Sequence, residues 1–163
     1  MSATPILEAL FITPAASQPM RRVGEVRAIA GQGLEGDRYA LGIGYYSGRY
    51  DCQVTLIEAE VLDQIEAENG PAMRNGQHRR NLVTRGLRLR DLEGCRLRIG
   101  EVLLEWERPR PPCDYVQRLT EPGMTKALGK GAGIGMRVVA GGVLREGMGI
   151  EVVRWEAARR VLP

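Results

Sequence analysis

The sequence predicts a mainly β fold: a barrel-like or strongly curved, mostly antiparallel sheet with two or three short peripheral helices. Three observations lead there. Roughly six to eight short segments are apolar or alternate with the two-residue period of a strand. Glycine is frequent, with 21 in 163 residues, as sharp turns and bends require. Helical periodicity is confined to a few short stretches, and there is neither a regular strand–helix–strand alternation nor an internal repeat. No shift of composition marks a linker, so residues 1–163 read as one domain with its core over about 6–153 and a tail over 154–163.

In order along the chain, residues 6–12 are apolar and stop at Thr13-Pro14, as a buried first strand does. Residues 23–29 alternate in part and read as a second strand. Gly31 opens a Gly- and Tyr-rich segment running to Tyr50, long enough to suggest a functional loop. Residues 53–57 form the next strand. Over 60–69, Val61, Leu62 and Ile65 share one helical face, and Asn69-Gly70-Pro71 ends the helix. Residues 81–84 are a short strand closed by Gly86. In 95–99 apolar residues alternate with Arg96 and Arg98, so one face is buried and one wet. Gly100 turns this into a hairpin with a strand ending near Glu107. Pro109, Pro111 and Pro112 then impose a stiff loop, since proline fixes φ and lacks the ladder donor. Asp114 is expected to cap the helical turn 114–119. Residues 122–128 read as a helix opening at a proline, 129–135 as a flexible glycine loop, and 137–140 and 149–153 as closing strands.

Charge and cysteine usage narrow the function classes. The net charge is +3, drawn from 21 Arg and only two Lys, Lys126 and Lys130. Scattered Arg balanced by 20 acids is not the clustered stripe of a nucleic-acid binder, and nucleic acid is not expected as a partner. Guanidinium groups do suit planar anions such as carboxylate and phosphate. Three Cys without paired spacing argue against a disulfide framework, and with no apolar membrane-length run or signal-peptide pattern the expected location is cytoplasmic. One His and no Cys-x-x-Cys leave little for a protein-only transition-metal site.

Gly31-x-Gly33-x-x-Gly36 matches the dinucleotide fingerprint in letters, but Asp37-Arg38-Tyr39 and two further glycines follow where a helix must begin. Of the thiols, Cys95 lies on the apolar side of its strand and Cys52 opens one; both read as packing residues. Cys113 differs, since it ends the proline loop with Arg108 and Arg110 close by, a setting that favours a reactive thiol. Arg79-Arg80-Asn81 enters a strand from a polar loop, either as a solvated strand end or as an anion clamp. His78 beside them reads as a surface residue. A rival function is a non-enzymatic Arg-rich β-barrel module for RNA or an acidic protein, with Tyr39, Tyr45, Tyr46 and Tyr50 clustered as stacking groups.

A set of ordered blocks then emerges: Gly33-Leu34-Glu35-Gly36-Asp37-Arg38, Gln53-Val54-Thr55-Leu56-Ile57, Arg80-Asn81-Leu82-Val83, Leu97-x-Ile99-Gly100 and Pro112-Cys113. In this order they resemble the MOSC domain, the module at the C-terminus of molybdenum-cofactor sulfurases. The resemblance implies that Cys113 ligates molybdenum in a pyranopterin cofactor or carries sulfur as a persulfide. It implies a cofactor-holding role for Arg79 and Asn81, with Arg38 and Arg110 as further candidates. The implied partners are the anionic pterin cofactor or a sulfur-donating desulfurase, and the implied activity a molybdenum-dependent reductase or a sulfur-transfer protein. No Lys sits in a Schiff-base setting, so pyridoxal phosphate is not expected.

Overall fold

The computed structural model describes residues 3–44 and 53–154. Its strands are β1 (Ile6–Ile12), β2 (Arg21–Val23), β3 (Glu25–Ile29), β4 (Gly33–Leu34), β5 (Val54–Glu58), β6 (Leu82–Arg85), β7 (Cys95–Ile99), β8 (Val102–Pro109), β9 (Ile134–Ala140), β10 (Gly142–Arg145) and β11 (Glu151–Arg154). The helices are α1 (Ala59–Ala67), α2 (Asp114–Leu119) and α3 (Met124–Leu128), with single 3-10 turns at Leu89–Leu92 and Gly129–Gly131.

Eight strands form one curled mixed sheet, a half-barrel, in the order β11-β7-β8-β9-β5-β6-β1-β2; β10-β3-β4 make a smaller sheet. The expected mainly β, curved architecture with short helices is what the chain adopts. Its pairs are antiparallel except β5 with β6, which run parallel and are joined through α1, the crossover such a pair needs. The two ends of the curl are tied where Leu7 N–H donates to Met148 O at 2.9 Å and Gly147 N–H to Leu7 O at 2.7 Å.

Two apolar cores lie on opposite faces of the large sheet. Inside the curl, Leu7, Leu10, Leu56, Leu82, Leu97, Leu104 and Met136 pack with Leu34 and Leu144 of the small sheet. On the outer face, Ala9, Phe11, Ile57 and Val83 pack against Leu62 and Ile65 of α1, Val116 of α2 and Met124 and Leu128 of α3. A bulge between Leu7 and Ala9 shifts the phase of β1 and lets one strand supply both cores.

Several local expectations change. Residues 23–29 are two strands broken at Gly24, β2 pairing with β1 and β3 with β10, in different sheets. Pro109 is the last residue of β8 rather than part of the loop. Asp114 does not cap α2: Cys113 holds the cap position with extended backbone, and Asp114 is the first helical residue. The helix expected from Pro122 starts after Gly123, whose φ of 90° lies outside the helical range. The expected glycine loop is mostly ordered, as a 3-10 turn followed by β9. Among the described residues, no helix is long and apolar enough to cross a membrane.

Candidate functional site

Three segments distant in sequence converge beside the proline loop. The first follows β4. Asp37 is fully buried; its Oδ1 accepts from Thr13 N–H at 3.1 Å and from Arg38 Nη1 at 3.0 Å. Arg38 Nη2 donates to Arg79 O at 3.2 Å and to Tyr39 Oη at 3.3 Å, and its guanidinium lies 4.2 Å from the Tyr39 ring centroid. The Gly-Asp-Arg sequence thus folds as a buried ion pair that orients one guanidinium.

The second segment is His78-Arg79-Arg80-Asn81. Gly76 permits its tight turn: φ is 85°, and a Cβ there would lie 2.7 Å from Met20 and 2.9 Å from Phe11. Arg79 takes a left-handed φ of 62°, a conformation that costs a non-glycine residue about 1 kcal/mol or more. The reversal sends three neighbouring side chains apart. Arg79 Nη1 donates to Gln18 O at 2.6 Å, and its guanidinium sits 5.9 Å from the Tyr115 ring centroid. Arg80 Nε donates to Ala132 O at 2.7 Å and Nη2 to Arg110 O at 2.9 Å. Asn81 turns into the sheet, where Oδ1 accepts from Thr55 N–H at 3.0 Å and Thr55 Oγ1 at 3.1 Å while Nδ2 donates to Phe11 O at 3.1 Å.

The third segment is the end of β8 and the loop to α2. Arg110 N–H donates to Gly133 O at 2.9 Å, which holds the loop to the entry of β9. Gly133 is needed there, since φ is 105° and a Cβ would fall 2.0 Å from Leu56 O. Gly135 leaves room for the Arg110 stem, whose Cδ would be only 3.3 Å from an added Cβ. Arg110 Nη2 donates to the same Tyr39 Oη, at 3.4 Å, that Arg38 uses. Cys113 is half-buried at the edge of the outer core, and its carbonyl accepts from Thr125 Oγ1 at 3.2 Å, fastening the loop to α3.

Together these segments line a cleft of about 200 Å³ walled by Arg38, Tyr39, Arg79, Arg80, Arg108, Pro109, Arg110, Cys113 and Tyr115. Of the residues singled out from sequence, Cys113, Arg38, Arg79 and Arg110 meet there. Asn81 does not: its side chain is 0% exposed and its polar atoms bond Thr55 and Phe11, so it clamps β5, β6 and β1 together. Arg80, weighed only as part of a possible anion clamp and not among the residues the resemblance implied, belongs to the cleft; its position between a left-handed Arg79 and the sheet turns it inward. His78 is not at the surface. It is 0% exposed, its Nδ1 accepts from Arg80 N–H at 2.9 Å, and it meets Phe11 edge-on with ring centroids 5.3 Å apart. Burial, with Arg80 close by, lowers its pKa to about 3, so it is neutral. Cys95 is buried on its strand as expected. Cys52, Tyr45, Tyr46 and Tyr50 lie outside the described residues.

The cleft is electropositive. Arg38, Arg79, Arg80 and Arg110 are each no more than 6% exposed, while Asp37 is the one carboxylate buried among them in the described residues. Burial and the charge of Arg110 lower the Arg80 pKa to about 10, and burial with Arg38 lowers that of Arg79. Backbone carbonyls satisfy much of this set, but Arg79 Nη2 is buried without a hydrogen-bond partner among the described residues. Desolvated cations in excess over anions are costly, and a bound anion is the natural complement. Among the described residues no three His, Cys, Asp or Glu side chains cluster to hold a metal ion. Among the described residues that line the cleft, Cys113 is the side chain whose chemistry suits a metal.

A family model described as the MOSC domain matches residues 43–151. The YUAD protein from Bacillus subtilis aligns with a TM-score of 0.76 at 18% identity, covering 94% of this chain and 97% of that one. YiiM from Geobacillus stearothermophilus gives 0.68 at 20% identity, covering 92% and 75%. YiiM from Escherichia coli gives 0.61 at 24% identity, covering 91% and 69%. At these identities the likeness is one of fold. No curated protein matches.

Proposed function

The chain belongs to the MOSC domain family, which is associated with molybdenum-cofactor proteins, and from that premise we propose that its arginine cleft binds an anionic molybdenum–pterin group beside Cys113. The observation that carries the reading is the meeting of one half-buried thiol with five arginines in a single cleft. The residues fit such a group. Arg38, Arg80 and Arg110, held rigid by carbonyls and by Tyr39 Oη, suit a phosphate, and the Arg79 Nη2 donor awaits an acceptor. A thiolate is a soft ligand of the kind that suits such a metal centre. At about 200 Å³ the cleft is smaller than sites that enclose a whole ligand, roughly 300–1,000 Å³, so it takes the anionic end of the group and leaves the rest toward the rim.

When bound, the group supplies a redox-active metal centre. The chain supplies position and charge: the guanidiniums hold the anion, the Asp37–Arg38 pair keeps one of them from turning away, and the proline loop keeps the sulfur from relaxing out of reach. Asn81 acts one layer behind, fixing the strands beside the turn that carries Arg79 and Arg80. The same thiol serves sulfur transfer equally well. There the Cys113 thiolate attacks the outer sulfur of a donor persulfide, the donor S–S bond breaks as the new one forms, and the donor leaves as a thiolate.

Protein produced with molybdate present is expected to retain molybdenum by elemental analysis, or to gain labelled sulfur on Cys113 when mixed with a persulfide donor. Cys113→Ala should remove whichever signal appears. A Cys113→Ala protein matching the parent in both measurements would overturn the reading.

A further inference from the structure

Tyr39 lines the arginine cleft, and its hydroxyl stands between two guanidiniums. Arg38 Nη2 lies 3.3 Å from Tyr39 Oη and Arg110 Nη2 lies 3.4 Å from it. A guanidinium donates and cannot accept, so the phenol oxygen is the acceptor in both bonds. Its two lone pairs are then spent. The hydroxyl hydrogen has no acceptor among the described residues, although Tyr39 is only 8% exposed.

Other acceptors nearby are committed as well. Asp37 Oδ1 takes Thr13 N–H and Arg38 Nη1, and its Oδ2 takes Tyr39 N–H at 3.3 Å. The carbonyls of Arg79 and Arg110 accept from the guanidiniums of Arg38 and Arg80, and Tyr115 Oη is bonded with Ser17 Oγ. Among the described residues no carboxylate, amide or imidazole lines the cleft, and the sulfur of Cys113 accepts only weakly.

We propose that the cleft is a donor-only receptor in which Tyr39, its lone pairs spent on Arg38 and Arg110, donates to the ligand and so selects tetrahedral oxyanions that carry no proton. This deepens the cofactor reading and rests on it, because it specifies the ionisation state of the anionic end that the arginines hold. Sulfate, or a fully ionised phosphate monoester, offers the cleft nothing but acceptors. Hydrogen phosphate matches sulfate in charge and shape but brings an O–H, and a donor left unmet on burial costs affinity.

The test is calorimetric titration of the full chain with sulfate, inorganic phosphate and methyl phosphate. At pH 7 sulfate should bind at least tenfold more tightly than inorganic phosphate. Methyl phosphate, whose second ionisation falls at about pH 6, should lose about tenfold in affinity relative to sulfate between pH 7.5 and pH 5. The charged and titratable groups facing the anion are the five arginines, Tyr39, Tyr115 and Cys113; they are common to both titrations, so the ratio isolates the proton on the ligand. Arg110→Met frees one Tyr39 lone pair for an incoming O–H, so both inorganic anions should weaken while the sulfate preference shrinks several-fold. Tyr39→Phe removes a donor and adds no acceptor, so sulfate should weaken several-fold with its preference kept. Should either variant fail to fold, the two ratios of the parent protein decide. Equal binding of sulfate and inorganic phosphate, no binding of sulfate, a methyl phosphate ratio that ignores pH, or a preference untouched by Arg110→Met would overturn the inference. Molybdenum retention or sulfur uptake without the sulfate preference sinks this inference alone; the preference without either signal sinks only the cofactor reading.

Discussion

Replacing Asn81 with Leu separates two roles that one residue type can play. Leucine has nearly the shape of asparagine, so little volume is lost, but three polar partners lose theirs. Thr55 N–H, Thr55 Oγ1 and Phe11 O all lie at a fully buried side chain that joins three adjacent strands. A buried donor or acceptor left unmet costs about 1–3 kcal/mol, and Thr55 Oγ1 loses its acceptor but still accepts from Asn81 N–H, so its loss is partial. Two orphaned backbone groups therefore give a loss of about 2–6 kcal/mol, and a chain of this size should melt roughly 4–24 °C lower. The assay is thermal unfolding followed by circular dichroism, with molybdenum retention or sulfur uptake measured well below the lowered midpoint. Any ligand-related activity should persist there. A variant that melts within about 2 °C of the parent yet loses the ligand would refute this assignment and return Asn81 to direct contact with the cofactor.

Two further outcomes follow from the same geometry. His78 is neutral when folded, with a pKa near 3 against an ordinary 6.5, so below pH 6.5 the unfolded chain binds a proton that the folded chain does not. Stability should therefore fall as pH drops from 6.5 toward 5, by up to about 1.4 kcal/mol per unit; His78→Gln should flatten that slope in urea titrations, and an unchanged slope would contradict the burial argument. Gly135→Val should displace the Arg110 stem that crosses it and weaken inorganic phosphate binding several-fold, with only a small shift in melting; unchanged phosphate affinity would show that Arg110 does not hold the anion.

Much of the architecture was legible because alternation and punctuation are local signals. Arg98 facing solvent, with Arg96 partly covered beside Glu105 on the same face, between Cys95, Leu97 and Ile99 could be read directly, as could the α1 face of Leu62 and Ile65. Other features were not local. Nothing in residues 23–29 says that Gly24 divides a strand between two sheets, since partners are chosen by tertiary packing. Cys113 and its neighbouring arginines were visible as a rigid, charged loop. Arg80 was harder, because Arg79 adopts a left-handed conformation that only glycine commonly advertises, and both adjacent arginines then line the cleft. His78 and Asn81 were misjudged for one reason. A polar side chain is buried when distant partners satisfy it, and Phe11, Thr55 and the Arg80 amide were not identifiable as partners from sequence spacing.

The placement of two cores on opposite faces of one sheet has a dynamic consequence. Arg38 and Arg80 are anchored to strands and their adjoining turns, whereas the sulfur rides on a layer of three short helices resting on the smaller outer core. Short helices draw their order from tertiary packing, so this layer can lift as a unit while the half-barrel stays closed. Amide exchange in α2 and α3 should then outpace that in β5 and β9. Transient loosening of the helices would uncover the outer core first, while Arg110 N–H on Gly133 O keeps the proline loop moored to the half-barrel.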